Sequence, residues 1–91
     1  MFFVYVLYSL NDHGLYIGYT TDLRRRMQEH EEGLSKSTSW RRPLILAYYE
    51  AYFCQADAEG RERFLKSGAG RVYIRKQSRH FLAAHPLRTT A

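Results

Sequence analysis

The stretch Tyr16–His30, reading YIGYTTDLRRRMQEH, decides the fold. It opens on aromatic and β-branched residues, which suit a strand. Thr20-Thr21-Asp22 then carries turn chemistry, and Thr21 or Asp22 can cap a helix by accepting hydrogen bonds from its first free N–H groups. The helix is expected from about Asp22 to Glu32, stopping at Gly33. At helical spacing Leu23, Met27, His30 and Leu34 share one stripe, which should face the core. Arg26 lies on the shoulder of that stripe, one turn before His30, while Arg24 and Arg25 point outward. Of the three consecutive arginines, Arg26 is the one aimed inward.

Upstream, Phe2–Tyr8 is an unbroken apolar and aromatic run, as expected of a strand covered on both faces. Ser9–Gly14 is a turn, so residues 2–19 read as a β-hairpin. The run MFFVYVLYSL lacks the basic flank and the small-residue cleavage site of a signal peptide. No apolar run approaches the roughly 20 residues of a membrane span. A single cysteine, Cys54, allows no internal disulfide and fits a reducing compartment, so a cytoplasmic location is expected.

Downstream, Leu34–Arg42 is a polar connection closed by Pro43. Leu44–Phe53 is a third strand. A second helix from Asp57 to Lys66 places Ala58, Glu62 and Leu65 on one face. Glu62 is then a carboxylate on the packing side, which needs an arginine or a metal as partner. After Ser67–Gly70 a third helix is expected from Arg71 to about Ala84, with Arg71, Arg75 and Arg79 forming a ridge at four-residue spacing. The reading is a single α/β (α+β) domain over residues 1–85, in the order β-β-α-β-α-α. Its sheet is three-stranded, mainly antiparallel and flanked by helices. Residues 86–91 read as a flexible tail.

Charge is unevenly placed. Residues 1–60 hold six Lys/Arg against eight Asp/Glu, whereas residues 61–91 hold eight against one. A basic C-terminal third attracts polyanions, although a solvated basic face explains the charge equally well. Lys36, Thr38, Arg41 and Arg42 in the connection, and Arg71, Arg75 and Arg79 on the ridge, are the candidate nucleic-acid contacts. Trp40 can either stack on a base or pack over the core edge.

The chain has no HExxH, no paired cysteines, no P-loop and no G-x-S-x-G. His13, His80 and His85 have no metal-ligand spacing. What remains is Tyr5, Tyr16, Arg26, His30 and Glu62. Phosphodiester hydrolysis needs a proton acceptor, a fixed cation and a carboxylate able to hold a divalent ion, and this set contains all three. An inert alternative also stands, in which the tyrosines are core, Arg26 pairs with Glu62 and His30 packs.

In register with these elements, the chain resembles the GIY-YIG nuclease superfamily. Tyr16-Ile17-Gly18 matches the second half of the defining motif verbatim. Phe3-Val4-Tyr5 keeps the tyrosine of the first half, with ten residues between it and Tyr16, and with Gly and Ile replaced. Thr20, Asp22-Leu23, Arg26 and His30 follow the family's continuation, and Ala58 to Lys66 resembles the segment that carries its metal-binding glutamate. The resemblance covers nearly the whole chain and is that of a small stand-alone member, similar to the N-terminal domain of the GIY-YIG excinuclease of nucleotide-excision repair.

By that resemblance Glu62 would hold one Mg²⁺ or Mn²⁺ and Arg26 would contact the scissile phosphate. Tyr5 would be the base or nucleophile activator, with Tyr16 and His30 positioning water and relaying protons. Whether Tyr5 or His30 takes the proton stays open. The expected activity is metal-dependent DNA endonuclease action, structure-guided or weakly sequence-specific, in repair or recombination. The alternative is a nucleic-acid-binding module that cleaves little without a protein partner. RNA stays open as a substrate.

Overall fold

The computed structural model describes residues 1–88. Three strands, β1 (Phe2–Ser9), β2 (Leu15–Thr20) and β3 (Leu44–Tyr52), form one antiparallel sheet in the order β2-β1-β3. Helix α1 (Leu23–Glu31) follows β2. Helices α2 (Gln55–Lys66), α3 (Gly68–Gln77) and α4 (Arg79–Ala84) follow β3, and a short 3₁₀ turn at Ser39–Arg41 lies between α1 and β3.

The central position of β1 explains its composition. Val4 to Ser9 are all buried, because helices cover both faces of that strand. Side chains alternate across a pleated strand, so its two faces do different work. Val4 and Val6, with Ile17 and Tyr19 of β2, pack against Ala58, Leu65 and Ile74 of α2 and α3. Tyr5 faces the other way, toward α1.

Asp22 caps α1, its side chain accepting from the Arg25 N–H at 3.1 Å, and the helix ends before Gly33 at φ +78°. The expected stripe holds for His30, which is buried, but not for Leu34, which is 67 % exposed. Leu34 lies past the glycine, where the helical period no longer applies.

Three other boundaries differ from expectation. Helix α2 starts at Gln55, two residues before the expected Asp57, which therefore sits in the first turn, where a carboxylate is favoured by the helix dipole. The expected helix 71–84 is two helices broken at Ser78, and α3 begins earlier, at Gly68. Ser67 ends α2 and caps α3, its Oγ accepting from the Gly70 N–H at 3.2 Å. At Gly70 a Cβ would lie 2.5 Å from the Leu65 Cα, so only glycine lets α3 fold back against α2.

The segment expected as a free tail is anchored where it is described. Tyr8 Oη donates to the Pro86 carbonyl at 2.6 Å, and the Arg88 N–H donates to the His13 carbonyl at 3.0 Å. Residues 89–91 of that expected tail lie outside the described residues. Among the described residues no helix is long and apolar enough to cross a membrane.

One internal ion pair fixes α2 on the sheet. Glu50 of β3 receives both Nε and Nη2 of Arg61, at 2.9 and 3.0 Å, and hydroxyls from Tyr48 and Tyr52. The Arg61 guanidinium also lies over the ring of Tyr73, 4.3 Å from its centroid.

Candidate active site

The strand register places Tyr5 opposite Gly18, and Tyr16 opposite Leu7, so the two tyrosines are diagonal neighbours across β1 and β2. Their ring centroids are 6.4 Å apart. Gly18 makes room for this. A Cβ at that position would fall on Cζ and Oη of Tyr5 and 2.8 Å from Cε2. Tyr5 is only 1 % exposed, so its ring has nowhere to move.

The Tyr5 hydroxyl is the hub of the site. It lies 2.8 Å from His30 Nε2 and accepts a hydrogen bond from Arg26 Nε at 3.3 Å. His30 continues the chain through Nδ1, 2.7 Å from the hydroxyl of Thr38. The imidazole thus bridges Tyr5 and Thr38, one ring nitrogen to each. Arg26 is held at all three nitrogens, by Tyr5, by Glu29 (3.0 Å) and by the Ser35 hydroxyl (3.3 Å). Helix spacing explains why Arg26 and His30 converge, since residues one turn apart share a face.

Burial sets the charge states. It pushes the Tyr5 phenol up to about 12, the Tyr16 and Glu62 charges adding to the effect while the Arg26 hydrogen bond opposes it. Burial and the adjacent Arg26 charge bring His30 down to about 4, with Glu29 opposing. The hydrogen bonds from Arg26 to Glu29 and Tyr5 strengthen its hold on its proton. At neutral pH the resting site therefore holds a phenol, a neutral imidazole and a guanidinium.

The structure thus brings together four of the five expected residues. Tyr16 packs edge-on against His30, 5.5 Å between ring centroids, and its hydroxyl accepts from Ser37 at 3.3 Å. Glu62 stands apart on α2, which covers the opposite sheet face. Its partner is Lys66, 3.0 Å away, and not Arg26 or any other arginine. The side chain keeps 22 % exposure, so the carboxylate is solvated at the rim and not stranded in the core. Glu62 still acts on Tyr5 electrostatically.

Of the expected nucleic-acid contacts, Thr38 is fully buried and serves His30, so it reaches no phosphate. Arg41 is neutralised by Asp12 through bonds of 2.5 and 3.1 Å. Arg42 donates to the carbonyls of Ser39 and Glu31 while remaining exposed. Lys36 is exposed in the connection. Arg71 and Arg75 line a cleft of about 640 Å³ beside Tyr16, but Arg79 lies beyond the Ser78 break and outside that lining. Trp40 is 65 % exposed and does not pack over the core edge.

Sequence reasoning missed Glu29, Ser35 and Thr38 as supports of the site. Glu29 was legible, three residues after Arg26 on the same helix. Ser35 and Thr38 arrive through an aperiodic connection and gave no local signal. Tyr19 was also missed: its hydroxyl is buried without a hydrogen-bond partner among the described residues, and Glu59 and Glu62 add to the burial that raises its pKa.

Residues 1–76 match the family model described as the GIY-YIG catalytic domain. The chain belongs to the GIY-YIG family, a nuclease superfamily. It is 39 % identical over 66 residues to the UPF0213 protein HQ_3675A of Haloquadratum walsbyi, covering 71 % of this chain and 73 % of that one. It is also 36 % identical over 84 residues to the UPF0213 protein SpyM50708 of Streptococcus pyogenes serotype M5, covering 91 % and 86 %. No solved structure matches the chain.

Proposed function

We propose that this protein is a metal-dependent endonuclease that hydrolyses DNA phosphodiester bonds, guided by substrate shape more than by sequence. The observation that carries this reading is the Tyr5 hydroxyl, held between a neutral imidazole and a fixed guanidinium. A core-packing role requires no such convergence of three polar groups on one buried oxygen.

Arg26, already locked by Glu29 and Ser35, presents positive charge to the phosphate where negative charge develops in the transition state. Because it is pre-oriented, little reorganisation is needed as the reaction proceeds. Tyr5 Oη takes the proton of the attacking water while passing its own proton to His30 Nε2. The hydroxide so formed bonds to phosphorus, and the leaving oxygen takes a proton from solvent. This relay needs His30 to carry its resting proton on Nδ1, donated to Thr38, leaving Nε2 free to accept. The low pKa of His30 keeps that nitrogen unprotonated at neutral pH.

Glu62 is the residue that would hold the divalent ion. Among the described residues no group of three or more His, Cys, Asp or Glu side chains is poised for a metal. A single carboxylate nevertheless fits Mg²⁺ or Mn²⁺, which keeps several waters and takes substrate phosphate oxygens as further ligands. When bound, such an ion supplies Lewis-acid stabilisation of the phosphate. A repair or recombination role in the cytoplasm belongs to this reading, supported by the family and the single cysteine.

The test is to incubate the purified protein with supercoiled, branched and single-stranded DNA in Mg²⁺, Mn²⁺ or EDTA, beside Glu62→Ala. Metal-dependent cleavage that the variant loses, with binding retained, supports the reading. Binding without cleavage in any metal would replace it with a binding module that needs a partner.

A further inference from the structure

The cleft beside Tyr16 is not explained by hydrolysis alone. It follows the free edge of β2, with Tyr16 and Ser37 at the end nearest Tyr5 and with Lys66, Arg71 and Arg75 on the wall formed by α2 and α3. It therefore joins the two halves of the proposed site, since Lys66 is the residue that grips Glu62. Its lining includes one carboxylate, Asp12, which is already neutralised by Arg41. The side chains of Arg71 and Arg75 have no hydrogen-bond or ion-pair partner among the described residues. They stand one helical turn apart, about 6 Å along the axis, comparable with the step between neighbouring phosphates of one strand.

At the lip stands Trp40. The residue is 65 % exposed, yet its backbone is fixed on both sides. The Trp40 carbonyl accepts from Asn11 Nδ2 at 2.9 Å, and the next residue, Arg41, is clamped to Asp12. An exposed indole on a fixed backbone, with the Asp12-paired Arg41 5.8 Å from its ring centroid and two unpartnered arginine side chains lining the same cleft, is the arrangement of a base-stacking platform over a phosphate track. A continuous duplex offers no base face to such a platform, whereas an unpaired nucleotide does.

We propose that this cleft binds an unpaired strand, phosphates on Arg71 and Arg75 and one base on Trp40, so that the substrate is single-stranded or carries a single-stranded arm next to the scissile phosphate. This rests on the nuclease reading for the direction in which the strand leads, but not for binding itself.

Trp40 is the chain's single tryptophan, so its own emission reports the contact. The experiment titrates the protein, in EDTA, with oligothymidylate, oligouridylate and a closed hairpin duplex. Either single strand should quench the emission and bind more tightly than the duplex. Trp40→Ala should weaken single-strand binding roughly ten-fold and leave duplex binding unchanged. Arg71→Gln with Arg75→Gln should weaken all three probes and reduce the salt dependence of binding by about one to two in log–log slope. Comparing the two single strands tells whether the sugar matters. Equal single-strand and duplex affinities, absent quenching, or a Trp40→Ala protein that binds single strands normally would each overturn the proposal. Because EDTA suppresses metal-dependent cleavage, these outcomes are separate from those that test hydrolysis.

Discussion

His30 Nδ1 lies 2.7 Å from the hydroxyl of Thr38, which makes a fully buried threonine the second anchor of the imidazole that touches Tyr5. A ring held at one nitrogen only can rotate and exchange tautomers; held at both, it presents a defined nitrogen to Tyr5. Thr38→Val keeps the shape and removes the acceptor. Cleavage by the variant is expected to fall at least about ten-fold in kcat, since a misplaced proton-transfer group forfeits part of a general-base effect, with DNA binding unchanged. Thr38→Ser should restore most of the rate. Steady-state kinetics on the three proteins checks this.

His30 also ties stability to pH. Its folded pKa near 4 lies below the ordinary value of 6.5, so between these values the unfolded chain binds a proton that the folded chain does not. Stability contributed by the neutral ring is present above pH 6.5 and is lost as pH falls toward 4. The shift corresponds to at most about 3 kcal/mol. Denaturation curves of the natural protein and of His30→Gln, measured across that window, should converge as the pH falls.

Gly18→Ala forces a Cβ onto the Tyr5 ring, which is buried and bonded to both His30 and Arg26. The variant should lose about 1–3 kcal/mol of stability, as overpacked sites do, and should lose cleavage more completely than stability. A folded Gly18→Ala protein with ordinary activity would mean that Tyr5 does not need its present position.

The Glu50–Arg61 pair, by contrast, is predicted to matter to the fold alone. Arg61 and the two tyrosine hydroxyls hold the Glu50 carboxyl below the usual range although burial acts the other way. Glu50→Gln leaves Arg61 with an unbalanced charge in a largely covered position. The expected cost is about 2 kcal/mol, discounted from fully buried pairs because both side chains keep some exposure. Chemical denaturation measures it, and cleavage per folded molecule should not change.

The strands, α1 and the inward turn of Arg26 were legible because hydrophobic period and turn chemistry are local signals. The family motif likewise lies in one hairpin and the helix after it. Glu62 was legible as a carboxylate on the packing face of α2, but not as the partner of Lys66, because the degree of rim exposure depends on how α2 sits on the sheet. The break at Ser78 was hidden because Arg71, Arg75 and Arg79 continue a four-residue spacing through it. Thr38 was misread as a phosphate contact because its connection is polar and has no period. Only folding over His30 shows that it points inward.

The most direct measurement compares Tyr5→Phe with the natural protein in single-turnover DNA cleavage with Mg²⁺ or Mn²⁺, alongside binding and thermal denaturation. The substitution removes one oxygen, the atom on which His30 and Arg26 converge. Cleavage should fall by at least about a hundred-fold, the lower end of a general-base contribution, while the variant stays folded and binds DNA as before. A Tyr5→Phe protein that cleaves at the natural rate would contradict the proposed relay and return Tyr5 to the role of a core residue.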